Sequence, residues 1–253
     1  MYRMIVRKTP EQLEQMAAAG EVLVRCMRML ESKIRPGITT LELDEAAEKF
    51  IRSQDAFPSF KGYRGFPGSI CASPNSMVVH GIPGPYECQR GDVLSIDVGV
   101  TKDGWVADGA MTLPVGPIDT EAKRLLSVTK TALYAGVEQM RPGNHLGDVS
   151  AAIQRTVEAE GLSIIRTLVG HGIGREMHEE PQVPNFGEPG KGPELEEGMV
   201  LAIEPMVNAG GPLVHMGDDG WSVYSDDDSL AAHFEFTVAV TAAGPRILTP
   251  WDE

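Results

Sequence analysis

Cysteine is scarce in this sequence, and its spacing excludes two kinds of site. The chain has three cysteines, Cys26, Cys71 and Cys88, and no CxxC pair. Disulfide frameworks need an even set of cysteines, and structural zinc sites need closely spaced ones. The sequence therefore predicts neither a disulfide framework nor a structural zinc site.

Positive charge is scarce as well. Lysine and arginine number 22 against 36 aspartates and glutamates, which gives a formal net charge of -14. A chain this acidic repels phosphate groups, so we expect no broad surface for nucleic acid or anionic membranes. We interpret the acidity as an aid to solubility.

Long apolar runs are absent. No stretch reaches the roughly 18 apolar residues of a transmembrane helix, and the apolar part of MYRMIVRKTPEQ at the start is too short for a signal peptide. The cytoplasm is therefore the expected compartment. No linker rich in proline, glycine or serine interrupts the 253 residues, which favours a single domain over residues 1–253.

The elements that the sequence does contain begin with a pair of amphipathic helices. The segment Thr9-Pro10-Glu11-Gln12 combines a cap residue, a proline suited to the first helical position and a glutamine that completes a capping box. Apolar residues then recur at helical spacing up to an Arg-Pro-Gly sequence at 35–37. A second helix is predicted after it, with Thr39 as its cap and Glu42 three residues later.

A second helix pair repeats this order further along the chain. A helix is predicted from Asp119 up to another Arg-Pro-Gly sequence at 141–143, and a shorter helix follows. The segments RPGITTLELDEAA and RPGNHLGDVSAA match at an offset of 105 to 106 residues, which favours a duplicated helix-pair unit. Strand-like segments follow each pair, so the pattern predicts an α+β fold with helices outside and an antiparallel sheet lining a central site.

A predicted hairpin brings two carboxylates together. The strands VLSIDVGV and WVADGAMTL carry Asp97 and Asp108. A turn between Lys102 and Asp103 sets the two carboxylates directly opposite each other, whereas a turn at Asp103-Gly104 makes them diagonal neighbours. In either register they share one face, about 5 to 8 Å apart. Carboxylates so placed repel each other unless they are protonated or bridged by a cation.

Two more carboxylates and a histidine extend this set. Glu204 ends the apolar run GMVLAIEP, Glu235 lies in the alternating strand HFEFTVAVT, and His171 lies in the glycine-rich segment VGHGIGREMHEEP. An exposed position on a half-wet sheet explains any one of the acids. All four acids with an imidazole suit two divalent ions of the manganese, iron, cobalt or zinc type. Such a pair can polarise a carbonyl and hold a hydroxide, which predicts metal-assisted hydrolysis.

The segments around these residues resemble a known family, the type I methionine aminopeptidases. The resemblance rests on SMVVHGIP, SIDVGVTKDGWVADGAMT, VGHGIGREMHEEPQVPNFG, GMVLAIEPM and AAHFEFTVAVT, in that order. It implies the pita-bread fold, a pseudo-twofold pair of helix-and-strand halves around a curved antiparallel sheet. It also implies a cytoplasmic, monomeric enzyme that hydrolyses the N-terminal methionine of nascent proteins when the second residue is small, in the neighbourhood of the ribosome.

The resemblance further implies a ligand set for two divalent metal ions (cobalt, manganese, iron or zinc). Asp97 would bind one metal through both of its oxygens. Asp108 and Glu235 would bridge the two metals. His171 and Glu204 would hold the other.

Catalytic and substrate-binding roles also come from the resemblance. Glu204 would act as the general base, His178 would hydrogen-bond the scissile carbonyl oxygen, and His80 would contact the nitrogen of the second residue and assist proton movement. An apolar pocket for the methionine side chain would be lined by Phe66, Cys71, Met177 and Trp221. For each of these four, core packing is the alternative interpretation, and Cys71 is read as a pocket wall rather than a reactive thiol.

The sequence departs from the family pattern at several positions near the site. The family often has histidine at 64, tyrosine at 66, phenylalanine at 177 and histidine at 236. It also often has a histidine and a glycine directly before the second aspartate. This chain has Arg64, Phe66, Met177, Phe236 and Val106-Ala107. None of these departures removes a predicted metal ligand.

Two other functions fit parts of the pattern. Proline-specific aminopeptidases and dipeptidases of the same fold share the metal ligands, but they usually carry a sizeable N-terminal domain, and the catalytic features of this chain start too early for one. A non-catalytic binding protein on this fold would be expected to lose ligands, whereas this chain keeps all five. Metal analysis of the purified protein discriminates between an enzyme and a binding protein.

Overall fold

The structure is a computed structural model that describes residues 4–252. Positions 1–3 and 253 of the predicted domain lie outside the described residues. The α-helices of the described part are α1 (Pro10–Glu31), α2 (Thr40–Arg52), α3 (Thr120–Val137) and α4 (Leu146–Ala159). The strands are β1 (Phe57–Pro58), β2 (Cys71–Pro74), β3 (Met77–Val79), β4 (Val93–Lys102), β5 (Trp105–Pro114), β6 (Ser163–Ile164), β7 (Val169–Gly172), β8 (Glu179–Pro184), β9 (Val200–Ile203), β10 (Met206–Asn208), β11 (Val214–Met216), β12 (Val223–Ser225), β13 (Ala231–His233), β14 (Phe236–Thr241) and β15 (Gly244–Ile247).

Capping boxes start both helices of the first pair, as predicted. The backbone N–H of Gln12 donates to the Thr9 hydroxyl over 3.3 Å, and the Thr9 N–H donates back to the Gln12 side chain over 3.0 Å. Thr39 and Glu42 exchange the same two bonds at the start of α2. These bonds satisfy N–H groups that have no partner within the helix, so both starts are fixed by local sequence.

The predicted hairpin is formed by β4 and β5 with its turn at Asp103-Gly104. Lys102 pairs with Trp105, and Asp97 pairs with Ala110 across the antiparallel ladder. Asp108 lies opposite Gly99. The second of the two predicted registers is therefore correct, and the carboxylates of Asp97 and Asp108 are diagonal neighbours on one face.

A five-stranded antiparallel sheet in the order β15-β14-β9-β7-β8 lies in the second half of the chain, and its strand β7 carries His171. The prediction of one continuous strand over HFEFTVAVT is wrong, because β13 ends at His233 and β14 begins at Phe236. At the break, the Glu235 N–H donates to the Ala110 carbonyl over 2.9 Å, and the Glu235 carbonyl accepts from the Trp251 indole over 2.8 Å. The backbone of Glu235 is thus bonded to other elements rather than to the neighbouring strand.

The chain consists of two comparable halves, residues 4–118 and 119–252, each with a helix pair outside and strands inside. In the first half α1 packs on β4 and β5, and in the second α3 packs on β9, β10 and β13. The apolar faces predicted for the helices are buried, including Leu23 of α1 and Leu133 of α3. None of the helices in residues 4–252 combines the length and the apolar character that crossing a bilayer requires.

Candidate active site

One cavity of about 200 Å³ lies where strands of the two halves meet. Its lining includes nearly all of the residues that the sequence singled out: His80, His171 and His178, Asp97 and Asp108, Glu204 and Glu235, and Phe66, Cys71 and Trp221. Met177 lies outside this lining. It belongs to an adjacent buried apolar cluster against which Phe60 and Tyr63 pack.

The five predicted metal ligands lie close together at the buried end of the cavity. Donor atoms of Asp108, His171 and Glu235 all lie within 4.8 Å of one another. The His171 Nε2 atom is 3.7 Å from an oxygen of Asp108 and 3.6 Å from an oxygen of Glu204. Asp97 reaches the group through Asp108, its diagonal neighbour in the hairpin. Strands β4, β5 and β7, the end of β9 and the break between β13 and β14 thus bring these residues into one small volume.

The backbone fixes the tautomer of His171. Its Nδ1 atom lies 2.9 Å from the carbonyl oxygen of Gly172, and a carbonyl can only accept, so Nδ1 carries the proton. Nε2 therefore presents its lone pair to the carboxylates, which is the arrangement of a metal-binding histidine. Burial lowers the pKa of His171 to about 4, so the ring is neutral at physiological pH.

The carboxylates share this volume without a basic partner. Burial, followed by the charges of Asp108 and Glu204, raises the pKa of Asp97 well above its ordinary range. Burial likewise raises the pKa of Asp108 to about 7, and that of Glu204 and of Glu235 well above the usual value. Among the described ion pairs, none joins these acids to a lysine or arginine. Buried carboxylates of this kind each cost several kcal/mol without a compensating charge.

A divalent cation suits this donor set. One oxygen of Asp97 and one of Glu235 are buried and have no hydrogen-bond partner among the described residues. Carboxylate oxygens with a neutral imidazole are the ligands of manganese, iron and zinc sites. Positive charge at this point would also offset the cost of burying these carboxylates together.

His178 and His80 lie nearer the mouth of the cavity. The His178 ring centroid is 4.3 Å from that of His171, and the Tyr63 hydroxyl lies 2.7 Å from His178 Nδ1. Partial desolvation, followed by the proximity of His171 and Arg64, lowers the pKa of His178 to about 3, so this ring is neutral too. His80 follows β3 and adopts a left-handed backbone conformation, with φ of 59°.

An apolar wall forms another part of the cavity lining. The rings of Phe66 and Trp221 meet edge to face, with centroids 5.1 Å apart. Cys71 also lines the cavity, directly opposite Asp97 in the pairing of β2 and β4, and burial, reinforced by Asp97, raises the pKa of its thiol well above the usual value. The thiol is therefore protonated and unreactive, which favours its interpretation as a pocket wall.

Several residues of the lining were not predicted, among them Tyr63 and His233. Tyr63 is far in sequence from His178, so the sequence carries no signal for their contact. His233 did leave a signal, because it lies two residues before Glu235 in a segment that alternates, a pattern that places two such residues on the same face. Its ring is buried, and burial lowers its pKa to about 3.

The position after Glu235 does not contribute to the cavity. Phe236 is fully buried, with its ring 5.0 Å from Trp251 and 5.6 Å from Tyr134. It packs between the sheet and α3 and does not line the cavity. Arg64, the other departure next to the catalytic residues, lies in the lining with its guanidinium 5.3 Å from the centre of the Tyr63 ring.

Comparison with known proteins agrees with this geometry. The family model of metallopeptidase family M24 matches residues 14–242. The chain belongs to metallopeptidase family M24. Within this M24 family, the methionine aminopeptidase of Clostridium perfringens is 51% identical and covers 97% of this chain and 99% of its own length. Methionine aminopeptidase 1 of Bacillus subtilis is 50% identical over the same shares of the two chains.

Solved structures of M24 proteins give the same picture for the fold. The crystal structure of methionine aminopeptidase from Rickettsia prowazekii superposes with a TM-score of 0.96 at 40% identity, over 97% of this chain and 100% of the other. The predicted family and the predicted pita-bread fold are thus confirmed. Prolidase from Pyrococcus furiosus shares the fold with a TM-score of 0.76, at 22% identity and over 65% of its own length.

Proposed function

We propose that this chain is a methionyl aminopeptidase that uses two divalent metal ions to remove the N-terminal methionine of nascent proteins and peptides. The observation that carries the proposal is one cavity lined both by the predicted metal ligands and by an apolar wall containing Phe66, Cys71 and Trp221. The similarity to methionine aminopeptidases along nearly the whole chain supports it.

The metal-binding roles that we propose follow the ligand set. Asp97 would hold one ion through both oxygens, His171 and Glu204 would hold the other, and Asp108 and Glu235 would bridge them. Divalent ions of the cobalt, manganese, iron or zinc type supply a Lewis acid and lower the pKa of a water at such a site.

The catalytic groups of the chain act on the water, the carbonyl and the amine. The Glu204 carboxylate would take the proton of the attacking water and deliver it to the leaving amine. His178 would donate a hydrogen bond to the scissile carbonyl oxygen as negative charge develops there. A Tyr63 hydroxyl that donates to Nδ1 leaves the proton of the neutral His178 ring on Nε2. Nε2 can then donate it to the hydrogen bond with the scissile carbonyl oxygen. His80 would contact the nitrogen of the second residue.

The apolar wall would select the methionine side chain. Aromatic rings and a small thiol offer soft contacts to a flexible thioether. Met177 would support this wall indirectly, because it belongs to the buried cluster against which Phe60 and Tyr63 pack. His80 and His178 narrow the mouth, so we expect a small second residue, such as glycine, alanine or serine. Equal rates for peptides with large second residues would contradict this part of the proposal.

Peptide hydrolysis with added metal tests the function directly. The protein is freed of metal by chelation, and Met-Ala-Ser and Ala-Pro peptides are offered with manganese, cobalt, iron or zinc in turn. Release of methionine from the first peptide alone, and only with metal, is the expected result. Cleavage of the proline peptide would favour a proline-specific enzyme, and tight metal binding without cleavage of either would favour a binding protein.

The proposed substrate also fixes the expected setting in the cell. Nascent chains emerge from ribosomes in the cytoplasm, so we infer that the enzyme acts there, close to the ribosome. We further propose that residues 1–253 act as a single catalytic domain and as a monomer. Size-exclusion chromatography with light scattering measures the oligomeric state.

A further inference from the structure

We propose that His233 is an additional metal ligand in this chain, so that the ion near Glu204 and Glu235 is bound by two imidazoles, those of His171 and His233. The inference rests on the metal-dependent function proposed above. It adds a residue to the five ligands that the family resemblance implies.

The donor atoms of His233 are positioned for this role. Its Nε2 atom is 3.6 Å from Glu204 Oε2 and 3.9 Å from Glu235 Oε2. Donor atoms of these three residues all lie within 4.8 Å of one another, as in the group formed by Asp108, His171 and Glu235. Glu235 belongs to both groups. Glu204 is flanked by one imidazole at each oxygen, since its Oε1 is 3.6 Å from His171 Nε2.

The separations fit shared coordination better than hydrogen bonding. A distance of 3.6 Å from nitrogen to oxygen is too long for a hydrogen bond. Two donors about 2.1 Å from one tetrahedral ion lie about 3.4 Å apart, close to the spacing found here. An ion at this point would satisfy Nε2 and one oxygen of each carboxylate at once.

His233 has no alternative partner that would explain its burial. The residue is 2% exposed, and neither ring nitrogen has a hydrogen-bond partner among the described residues. A buried polar group without a partner is destabilising. A histidine with a purely structural role would therefore be expected to form a hydrogen bond through its ring. The ring faces the cavity that Glu204, Glu235 and His80 also line.

The backbone holds His233 in place before any metal binds. The His233 N–H donates to the Thr112 hydroxyl over 2.9 Å, and that hydroxyl donates to the His233 carbonyl over 2.9 Å. His233 also pairs with Met206 across β13 and β10. Anchoring on both sides limits the reorganisation that metal binding would require.

A second imidazole has a consequence for metal preference. Imidazole suits zinc and iron, whereas a set of carboxylates with water suits manganese. Replacing His233 by glutamine, which keeps a similar size but loses the imidazole nitrogen, should therefore weaken zinc binding more than manganese binding. We expect the zinc dissociation constant to rise at least about tenfold, since even outer-shell partners of metal ligands account for 10–100-fold in affinity.

X-ray absorption at the zinc edge counts the imidazoles directly. The metal-free full chain is loaded with one equivalent of zinc, as wild type, as His233→Gln and as His215→Gln, an exposed histidine paired with Asp226. We expect two imidazoles in the wild type and in His215→Gln, and one in His233→Gln. His171→Gln should also retain one, supplied by His233. Competition titrations give the zinc and manganese affinities of the same proteins.

The outcomes separate this inference from the proposed function. One imidazole in the wild-type spectrum overturns the inference even if a variant fails to fold. A fall in affinity in His233→Gln with an unchanged imidazole count would make His233 a positioning residue and likewise overturn it. Absence of zinc and manganese binding by the wild type would overturn the proposed metal-dependent function itself.

Discussion

The two halves of the molecule make the same turn between their helices. Gly37 after α1 and Gly143 after α3 both have φ of 87°. The Gly37 N–H donates to the Cys88 carbonyl over 2.8 Å, and the Gly143 N–H donates to the Leu195 carbonyl over 3.0 Å. In each half, the turn between the two helices is therefore hydrogen-bonded to a segment that leads into a strand next to the cavity, β4 in the first half and β9 in the second.

The halves differ in the groups that their strands carry into the cavity. The first half supplies the carboxylates Asp97 and Asp108 to the metal-binding end. The second half supplies two carboxylates and the imidazoles of His171 and His233. Equivalent backbones thus set the positions of the side chains, while the residue types decide their chemistry. The first half contributes negative charge, and the second also contributes neutral nitrogen donors.

The largest expected effect comes from the second half, at Glu204. Glu204→Gln keeps the size of the side chain but removes the group proposed as general base. We expect kcat for a Met-Ala-Ser peptide to fall by about 10²–10⁴-fold, the usual contribution of general-base catalysis. Glu188→Gln, in an exposed loop of the same half, is the control and should retain full activity. Full activity in Glu204→Gln with an unchanged melting temperature would exclude Glu204 as the base.

Metal removal tests how far the buried carboxylates of the first half destabilise the fold when no cation is bound. With ligand at about 1,000 times its dissociation constant, a bound ion stabilises the fold by about 4 kcal/mol. Chelation should therefore lower the free energy of unfolding of the wild type by a similar amount, measured by urea titration. Because Asp97→Asn removes one of the repelling carboxylates, the metal-free variant should be at least as stable as the metal-free wild type. A less stable variant would show that repulsion at Asp97 is not the dominant cost.

Local features could be predicted from sequence, and contacts between distant segments could not. The caps at Thr9 and Thr39 and the hairpin of Asp97 and Asp108 depend on residues close together in the chain. The bond between Tyr63 and His178 joins residues 115 positions apart. The strand break at Glu235 likewise depends on a backbone bond to Ala110. The role proposed for His233 depends on its proximity to Glu204, a contact that an alternating pattern within one strand does not reveal.

The equivalence of the two turns predicts equal effects of alanine at their glycines. A Cβ atom on Gly37 or Gly143 would meet nothing within 4 Å, so the cost of either substitution is the left-handed backbone alone. We expect Gly37→Ala and Gly143→Ala each to lower the free energy of unfolding by about 1–2 kcal/mol. Urea titrations of both variants measure it. A clear difference between them would mean that the halves tolerate strain differently despite their matching geometry.

The smallest expected effect concerns the ninth residue of the second helix in each half. In α2 this residue is Glu48, which pairs with Lys61 over 2.8 Å and so tethers the segment that carries Phe66. In α4 it is Gln154, whose side-chain amide oxygen accepts from the Gly187 N–H over 3.1 Å. The same helical position thus holds a loop by charge in one half and by a neutral hydrogen bond in the other.

Only the charged tether should respond to pH. Bonding to Lys61, then to Arg52, lowers the pKa of Glu48 from 4.5 to about 2. A lowered folded-state pKa means that the stabilisation is present above pH 4.5 and is lost as the pH falls towards 2. Glu48→Gln should therefore be less stable than the wild type near neutral pH, by no more than about 1 kcal/mol because the pair is partly exposed. This difference should vanish in acid. That of Gln154→Ala should persist when it is measured in a Glu158→Gln background, which removes the carboxylate that also accepts from the Gln154 amide, because the bond to Gly187 is neutral. Parallel pH profiles of the two differences, from urea titrations, would contradict the charge-based tether in the first half.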